Sequence, residues 1–163
     1  MVQEQLAQMQ NTIDFLNQTV TNLNQMVAQL TGAHGTKPAF FAILNAYLHV
    51  GHDETLKFDL VKTNIGAGYD SFTGIFVAPN PGTYHFTSVV YNAAVGDDVI
   101  IQMNKNNNIL VVGYSAITTK GERHVMNAVV QLQKGDHIFI KHRGPSVDYI
   151  RGDLHSSFSG FEI

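Results

Sequence analysis

The sequence predicts an all-β sandwich or jelly roll carried behind an α-helical coiled coil, and three observations predict it. Residues 2–30 place apolar side chains at Val2, Leu6, Met9, Ile13, Leu16, Val20, Leu23, Val27 and Leu30, with gaps alternating between 4 and 3 throughout. From Ala39 onward the pattern changes to short runs of β-branched and aromatic residues, several of them strictly alternating. Clusters of Gly, Pro, Asn and Asp separate those runs at close spacing.

The heptad spacing places one apolar seam along a helix. Leu6, Ile13, Val20 and Val27 take the a positions, and Val2, Met9, Leu16, Leu23 and Leu30 take the d positions. A rod of that length is roughly 43 Å long at 1.5 Å per residue. The flanking e and g positions are mostly Gln, Asn and Thr, so they offer no ion pairs to choose a partner. β-branched a positions with Leu at d favour two strands, whereas Met26 at a g position widens the seam. The stalk alone leaves the oligomer number open. Thr31-Gly32 and Lys37-Pro38 bracket its end, Gly as a C-cap and Pro as a stop. The division is a coiled-coil stalk over 1–31, a linker over 32–37 and a globular head over 38–163.

Within the head, Tyr84, Phe86, Ser88 and Val90 alternate onto one face of a strand, as do Ala128, Val130 and Leu132, and Ile138 with Ile140. Val99-Ile100-Ile101 and Ile109-Leu110-Val111-Val112 are continuous apolar runs, predicted as strands buried on both faces. Turns are predicted at Asn106-Asn107-Asn108, Lys120-Gly121-Glu122, Lys134-Gly135-Asp136 and Gly144-Pro145-Ser146. Gly74 permits close backbone approach beside the bulky Phe72 and Phe76, and Pro81-Gly82 makes a corner before a strand.

Composition excludes several functions. The formal net charge is -3 and only 14% of residues are charged. No basic surplus exists to hold a phosphate backbone, so nucleic acid is not an expected partner. No apolar run reaches the ~18–20 residues of a membrane span, and no membrane insertion is expected. With no cysteine there is neither a disulfide nor a thiolate zinc site nor a thiol nucleophile. Gly66-Ala67-Gly68 lacks the Gly-Lys-Ser/Thr of a phosphate loop, and Gly113-Tyr114-Ser115-Ala116-Ile117 lacks the last Gly of a nucleophile elbow. No catalytic residue is assigned, and the chain reads as a non-enzyme.

The order and spacing of the head's motifs resemble the globular domain of complement C1q, within the wider tumour-necrosis-factor-like group. The matching residues are Pro38-Ala39-Phe40 with Ala42, Phe58 with Asn64, Tyr69-Asp70 before Thr73-Gly74-x-Phe76, and Pro81-Gly82-x-Tyr84-x-Phe86. Lys105-Asn106, Leu132 with Gly135-Asp136, and Ser157-Phe158-Ser159-Gly160-Phe161 complete them. The resemblance implies a ten-stranded jelly roll, a homotrimer, a central last strand, and structural roles for Phe40, Phe72, Gly74, Phe76, Gly82, Tyr84, Phe86, Gly135, Asp136, Phe158, Gly160 and Phe161. No collagen Gly-x-y repeat is present, so collagen-linked effector functions are not carried over. Some relatives hold calcium near the threefold axis. Its ligands do not map onto this sequence residue by residue, so no metal site and no cofactor is assigned.

The candidate ligand site is the polar cluster around Gly144-Pro145: His142, Arg143, Asp148, Tyr149 and Arg151, with Lys141 beside them. Tyrosine rings stack on sugar faces, Arg grips carboxylates bidentately and Asp accepts hydroxyl protons. A sialylated or otherwise acidic glycan suits that chemistry. His49 and His52 beside Asp53 and Glu54 have a spacing a metal could use, with a solvated loop as the competing reading. His85, His137 and His142 alternate within strands and are expected on the outer face. Arg151-Gly152-Asp153 is a tripeptide that integrins read, and Asn17-Gln18-Thr19 is a glycosylation sequon. The resemblance implies a secreted trimeric lectin or pattern-recognition protein of the kind molluscs use in innate immunity. The N-terminus is polar and glutamine-rich, without a signal peptide, so secretion would imply a mature form. The alternative is a trimeric cytokine-like or synaptic-organiser-like ligand for a protein receptor.

Overall fold

The computed structural model describes residues 2–33, 36–93, 98–115 and 122–163. The chain divides into two compact units, 1–36 and 37–163.

The first unit is one helix, α1 (Val2–Ala33). Gly32 sits inside its last turn, so the helix passes the predicted cap by one residue. The seam residues Leu6, Met9, Ile13, Leu16, Val20, Leu23 and Val27 are 46–68% exposed on the isolated helix. Thr12, Thr19 and Thr21 turn their hydroxyls back onto the carbonyls four residues earlier, which lets them sit in a helix with their donors satisfied. Phe15, at a c position off the seam, is 71% exposed.

The second unit is a sandwich of two five-stranded antiparallel sheets. The first sheet runs β3 (Leu60–Ile65), β1 (Ala39–Ile43), β12 (Ser157–Glu162), β6 (Gly82–Tyr91), β9 (Arg123–Leu132). The second runs β4 (Tyr69–Asp70), β5 (Ile75–Val77), β10 (His137–His142), β7 (Val99–Lys105), β8 (Asn108–Ser115). The ten strands are those of the expected jelly roll. A separate ribbon pairs β2 (Leu48–Val50) with β11 (Asp148–Ile150), which makes twelve strands among the described residues of the head.

Alternation fixes which face of each strand is buried. Tyr84, Phe86, Ser88 and Val90 of β6 are all fully buried, as the sequence predicts. Phe40, Tyr69, Phe76, Phe86 and Phe158 join the two sheets through an aromatic core. Phe40 stacks on Tyr69 with ring centroids 4.8 Å apart and meets Phe158 edge-on at 4.9 Å. Such pairs contribute about 0.5–1.5 kcal/mol beyond their burial. The Tyr69 hydroxyl accepts from the Phe58 amide at 3.1 Å and donates to the Phe58 carbonyl at 3.2 Å. Burial pushes that phenol far above its ordinary range. Gly160 makes room for this core, since a Cβ there would stand 2.3 Å from the Phe86 ring.

The last strand is central, as the resemblance implies. β12 pairs with β1 from Ala39↔Phe161 to Ile43↔Ser157 and with β6 on its other side. The predicted turn at Asn106-Asn107 joins β7 to β8, with Asn106 at φ +51° in the left-handed region. Gly74, at φ +76°, packs against the Leu56 carbonyl, where a Cβ would come within 2.4 Å. The turn predicted at Lys120-Gly121-Glu122 has its first two residues outside the described residues.

Three expectations need correction. Phe72 is 86% exposed and takes no part in the core. It caps a tight turn in which Asp70 Oδ1 accepts from the Phe72 amide at 2.9 Å, and that turn aims the ring outward. The Ile109–Val112 run is not buried on both faces: Ile109, Leu110 and Val112 are 47%, 36% and 43% exposed because β8 is an edge strand. His142 faces the core instead of the outer face, and is fully buried.

Candidate functional site

The polar cluster lies at one end of the sandwich. β1 and β12 run antiparallel, so residues 44 and 156 lie at the end opposite Ala39, joined by the Leu44 amide on the Ser156 carbonyl at 2.9 Å. Residues 143–156 cross that end and include β11, which pairs Tyr149 with His49 of β2. Alternation along β11 buries Asp148 and Ile150 and leaves Tyr149 and Arg151 facing outward.

This splits the five candidate residues. His142 and Asp148 are removed from the ligand site, because both are buried and occupied with one another. His142 Nε2 lies 2.6 Å from Asp148 Oδ2, and Nδ1 lies 2.9 Å from the Gly51 carbonyl. Nδ1 therefore donates to the carbonyl, and Nε2 faces the carboxylate. Ser146 Oγ adds a bond to the other carboxylate oxygen at 3.3 Å. The pair pins β11 and the 51–54 loop to β10. Gly144 fits against the His142 ring only for want of a side chain, since a Cβ would be 2.7 Å from Nε2.

Arg143, Tyr149 and Arg151 reach the surface. Arg143 is exposed beyond the end of β10. Tyr149 is 46% exposed and rests against His49 with centroids 4.2 Å apart. Arg151 is half-buried; its Cζ lies 5.3 Å from the centre of the Tyr91 ring. Besides Tyr91, two further residues absent from the sequence-derived site join it. Arg123, the register partner of Tyr91, holds its Cζ 5.5 Å from the same ring. His155 meets Tyr91 edge-on at 5.5 Å. Only the pairing of β6 with β9, between residues 32 apart in sequence, brings Arg123 here, and no local pattern announces it.

Other motifs resolve differently. His49, His52, Asp53 and Glu54 do not converge: His52 Nδ1 donates to the Gly144 carbonyl, Asp53 pairs with Lys141 at 3.1 Å, and Glu54 Oε2 accepts from the Gly51 amide. The Lys141 ammonium holds the Asp53 carboxyl below its ordinary range. Among the described residues no group of three or more His, Cys, Asp or Glu is placed to hold a metal. Arg151-Gly152-Asp153 is not a projecting finger. Gly152 is buried against the Ala46 backbone, Arg151 is turned onto Tyr91, and the Asp153 amide is tied to the Asn45 carbonyl at 3.0 Å. No helix among the described residues is long and apolar enough to cross a membrane. His85 is half-buried against Phe161 and His137 is exposed.

At the other end of the sandwich, Asp136 is a structural centre. Its carboxylate accepts from Asn106 Nδ2 at 2.9 Å, from the Gln133 amide at 2.8 Å and from Lys105 Nζ at 3.0 Å. Those donors lower its pKa to about 2. The Gly135-Asp136 motif therefore locks the β9–β10 turn to the β7–β8 hairpin.

Comparison with known proteins agrees with this architecture. Zebrafish (Danio rerio) Caprin-2 is 32% identical over 111 residues, 67% of this chain and 12% of that protein. Mouse complement C1q tumor necrosis factor-related protein 3 is 32% identical over 124 residues, 76% of this chain and 48% of that protein. The chain thus spans half or less of each of these two relatives. Heavy metal-binding protein HIP of the mussel Mytilus edulis is 28% identical over 156 residues, 93% of this chain and 70% of that protein. Among solved structures, the globular domain of zebrafish complement 1qA superimposes with a TM-score of 0.65 at 20% identity, over 78% of this chain and 98% of that one. Eiger TNF from S. frugiperda gives 0.67 at 13% identity, over 78% and 92%. The family model for the C1q domain matches residues 39–163, the whole of the sandwich from its first strand. This chain belongs to the C1q domain family.

Proposed function

We propose that the protein is an extracellular homotrimeric recognition protein whose heads bind glycans on cells or microbes by multivalent, non-covalent contact. The observation that carries this reading is the uncovered apolar face of the first sheet. Ile65, Phe41, Phe161, Val129 and Val125 stand on it at 44%, 39%, 49%, 65% and 60% exposure. The edge strand β8 presents Ile109, Leu110 and Val112 elsewhere on the same head. A face and a different edge, both apolar, suit a cyclic arrangement in which each copy's face receives its neighbour's edge. The exposed heptad seam of α1 asks for the same partners. Weak sites at the loop end then add up when three heads meet a repeating target.

The test has two parts. Sedimentation equilibrium at micromolar concentration should give three times the chain mass; a single-chain mass removes the multivalent mechanism. A glycan array should show inhibitable binding to sialylated or uronic-acid sugars, and clumping of erythrocytes or bacteria should be blocked by the same sugars. Silence in both assays would favour a second reading, a trimeric ligand for a protein receptor bound at the grooves between heads. The similarity to a TNF structure and to a tumor necrosis factor-related protein favours that alternative. The mussel relative's name speaks of heavy metals. Metal binding is not adopted here, since the candidate histidines of residues 49–54 are spent on separate contacts.

A further inference from the structure

The uncovered face of the first sheet is apolar towards both of its ends and polar across its middle. Strand register puts Ser159 of β12, Thr87 of β6 and Asn127 of β9 in one row. Phe161 and Val129 stand exposed on one side of that row and Val125 on the other. Thr87 Oγ1 donates to Asn127 Oδ1 at 2.8 Å. That bond orients the amide and leaves Nδ2 as its spare end, which donates to nothing among the described residues. Asn127 is exposed, so in a single head Nδ2 is open to water.

Strand β8 presents the complementary demand. Among the described residues it is the edge strand of the second sheet and pairs with β7 on one side alone. The backbone N–H and C=O groups along its other side lie in the plane of the sheet and point away from it. Where a neighbour's face receives this edge, those groups are driven straight into that face. On a wholly apolar face each would be buried without a partner, which costs more than an ordinary hydrogen bond returns. A donor in the middle of the face removes that cost at one height only. Apolar contact is non-directional and tolerates sliding; an amide that must meet a carbonyl does not.

We infer that Asn127, oriented by Thr87, donates through Nδ2 to an unpaired backbone carbonyl of β8 in a neighbouring copy of this chain, and that this bond fixes the register in which edge meets face. This inference rests on the trimeric reading above and names the polar contact within it. A second copy is the occupant because one chain carries both halves. Its face sets an amide donor between exposed apolar side chains, and its edge sets free carbonyls among the exposed Ile109, Leu110 and Val112. Apolar burial then supplies the affinity, and the amide selects the fit.

The experiment follows dissociation of the full chain on dilution by sedimentation velocity. Apolar burial alone predicts that Asn127→Val assembles more tightly, since the change adds hydrocarbon to the face and favours a strand. The amide contact predicts the reverse: the concentration of half-dissociation should rise about tenfold, because a carbonyl of β8 loses its donor. Asn127→Asp keeps the shape and the acceptor but not the donor, and should weaken assembly at least as much. Thr87→Val leaves the amide unoriented and should weaken it less, by about threefold. Gln131→Val, also exposed on β9 but off the polar row, controls for the exchange of amide for hydrocarbon and should not weaken assembly. Circular dichroism checks that each variant keeps its β-sheet. Should Asn127→Val fold poorly, the wild type still carries the test: the Asn127 side-chain N–H protons should exchange about tenfold more slowly in the trimer than in the urea-unfolded chain, and equal rates overturn the contact. Unchanged or tighter assembly of folded Asn127→Val overturns it too and leaves the trimer standing. A wild-type chain that sediments as a single copy overturns both.

Discussion

Asp148 and His142 illustrate how a side chain chosen for its chemistry can be spent on structure. Both are polar and flank a Gly-Pro turn, which is why they read as ligand residues. Strand alternation settles the matter by turning Asp148 inward beside exposed Tyr149, and that parity depends on where β11 begins. Removing one member leaves the other buried and uncompensated. Asp148→Ala should lower folding stability by about 3–5 kcal/mol, measured by urea denaturation; a loss under 1 kcal/mol would mean the pair is dispensable. Asp136 makes the complementary case, a turn carboxylate singled out by its motif and held by three donors. Its pKa falls from 3.8 to about 2 in the folded chain. A lowered carboxyl pKa stabilises the fold above pH 3.8, and that contribution drains away as pH falls towards 2. Wild-type thermal stability should therefore drop across that window. Asp136→Asn should start lower at neutral pH and lose less on acidification; parallel curves for the two would remove Asp136 from the acid response. Phe72 misled for a different reason: bulk beside a conformationally special glycine looks like packing, yet an Asx turn can aim such a ring at solvent.

At the scale of elements, periodicity was the dependable signal. The 3–4 spacing predicted the helix α1, and the alternation in β6 and β10 predicted which of their faces is buried. Continuous apolar runs were less informative, since they cannot distinguish a strand buried on both sides from an edge strand meant for another chain. β8 is an edge strand with half-exposed apolar side chains. The stalk reads as an independent element because residues 1–36 form their own unit. Deleting them should leave heads with unchanged β-sheet circular dichroism but agglutination weakened by at least tenfold. Full agglutination by the truncated chain would show that the heads alone supply the avidity.

At the scale of the whole molecule, the uncovered apolar face is the feature with the widest reach. Val129→Asp combined with Phe161→Asp puts two charges on a surface that a neighbouring copy would cover, without touching the core between the sheets. The expected outcome is a folded single-chain head by light scattering with its thermal transition retained; a variant that still sediments as wild type would place the contact elsewhere. The same scale explains what the sequence left hidden. Motif order carried the fold from Phe40 to Phe161, because each motif is local and the order is linear. The grouping of Arg123 and Arg151 around Tyr91 is a product of register between β6 and β9 and of a backbone crossing from β11, so no stretch of residues displays it. Tyr149 and Arg151 were visible as a local cluster; Tyr91, Arg123 and His155 became neighbours only through pairing.

The position of β12 has a bearing on biosynthesis. Its six residues fill the slot between β1 and β6, both of which leave the ribosome well before it. Without Ser157–Glu162 the facing edges of β1 and β6 lack the backbone partners that β12 gives them. A chain truncated before Ser157 should therefore fail to form the first sheet, and a supplied peptide copying residues 157–162 should restore its β-sheet circular dichroism by strand addition.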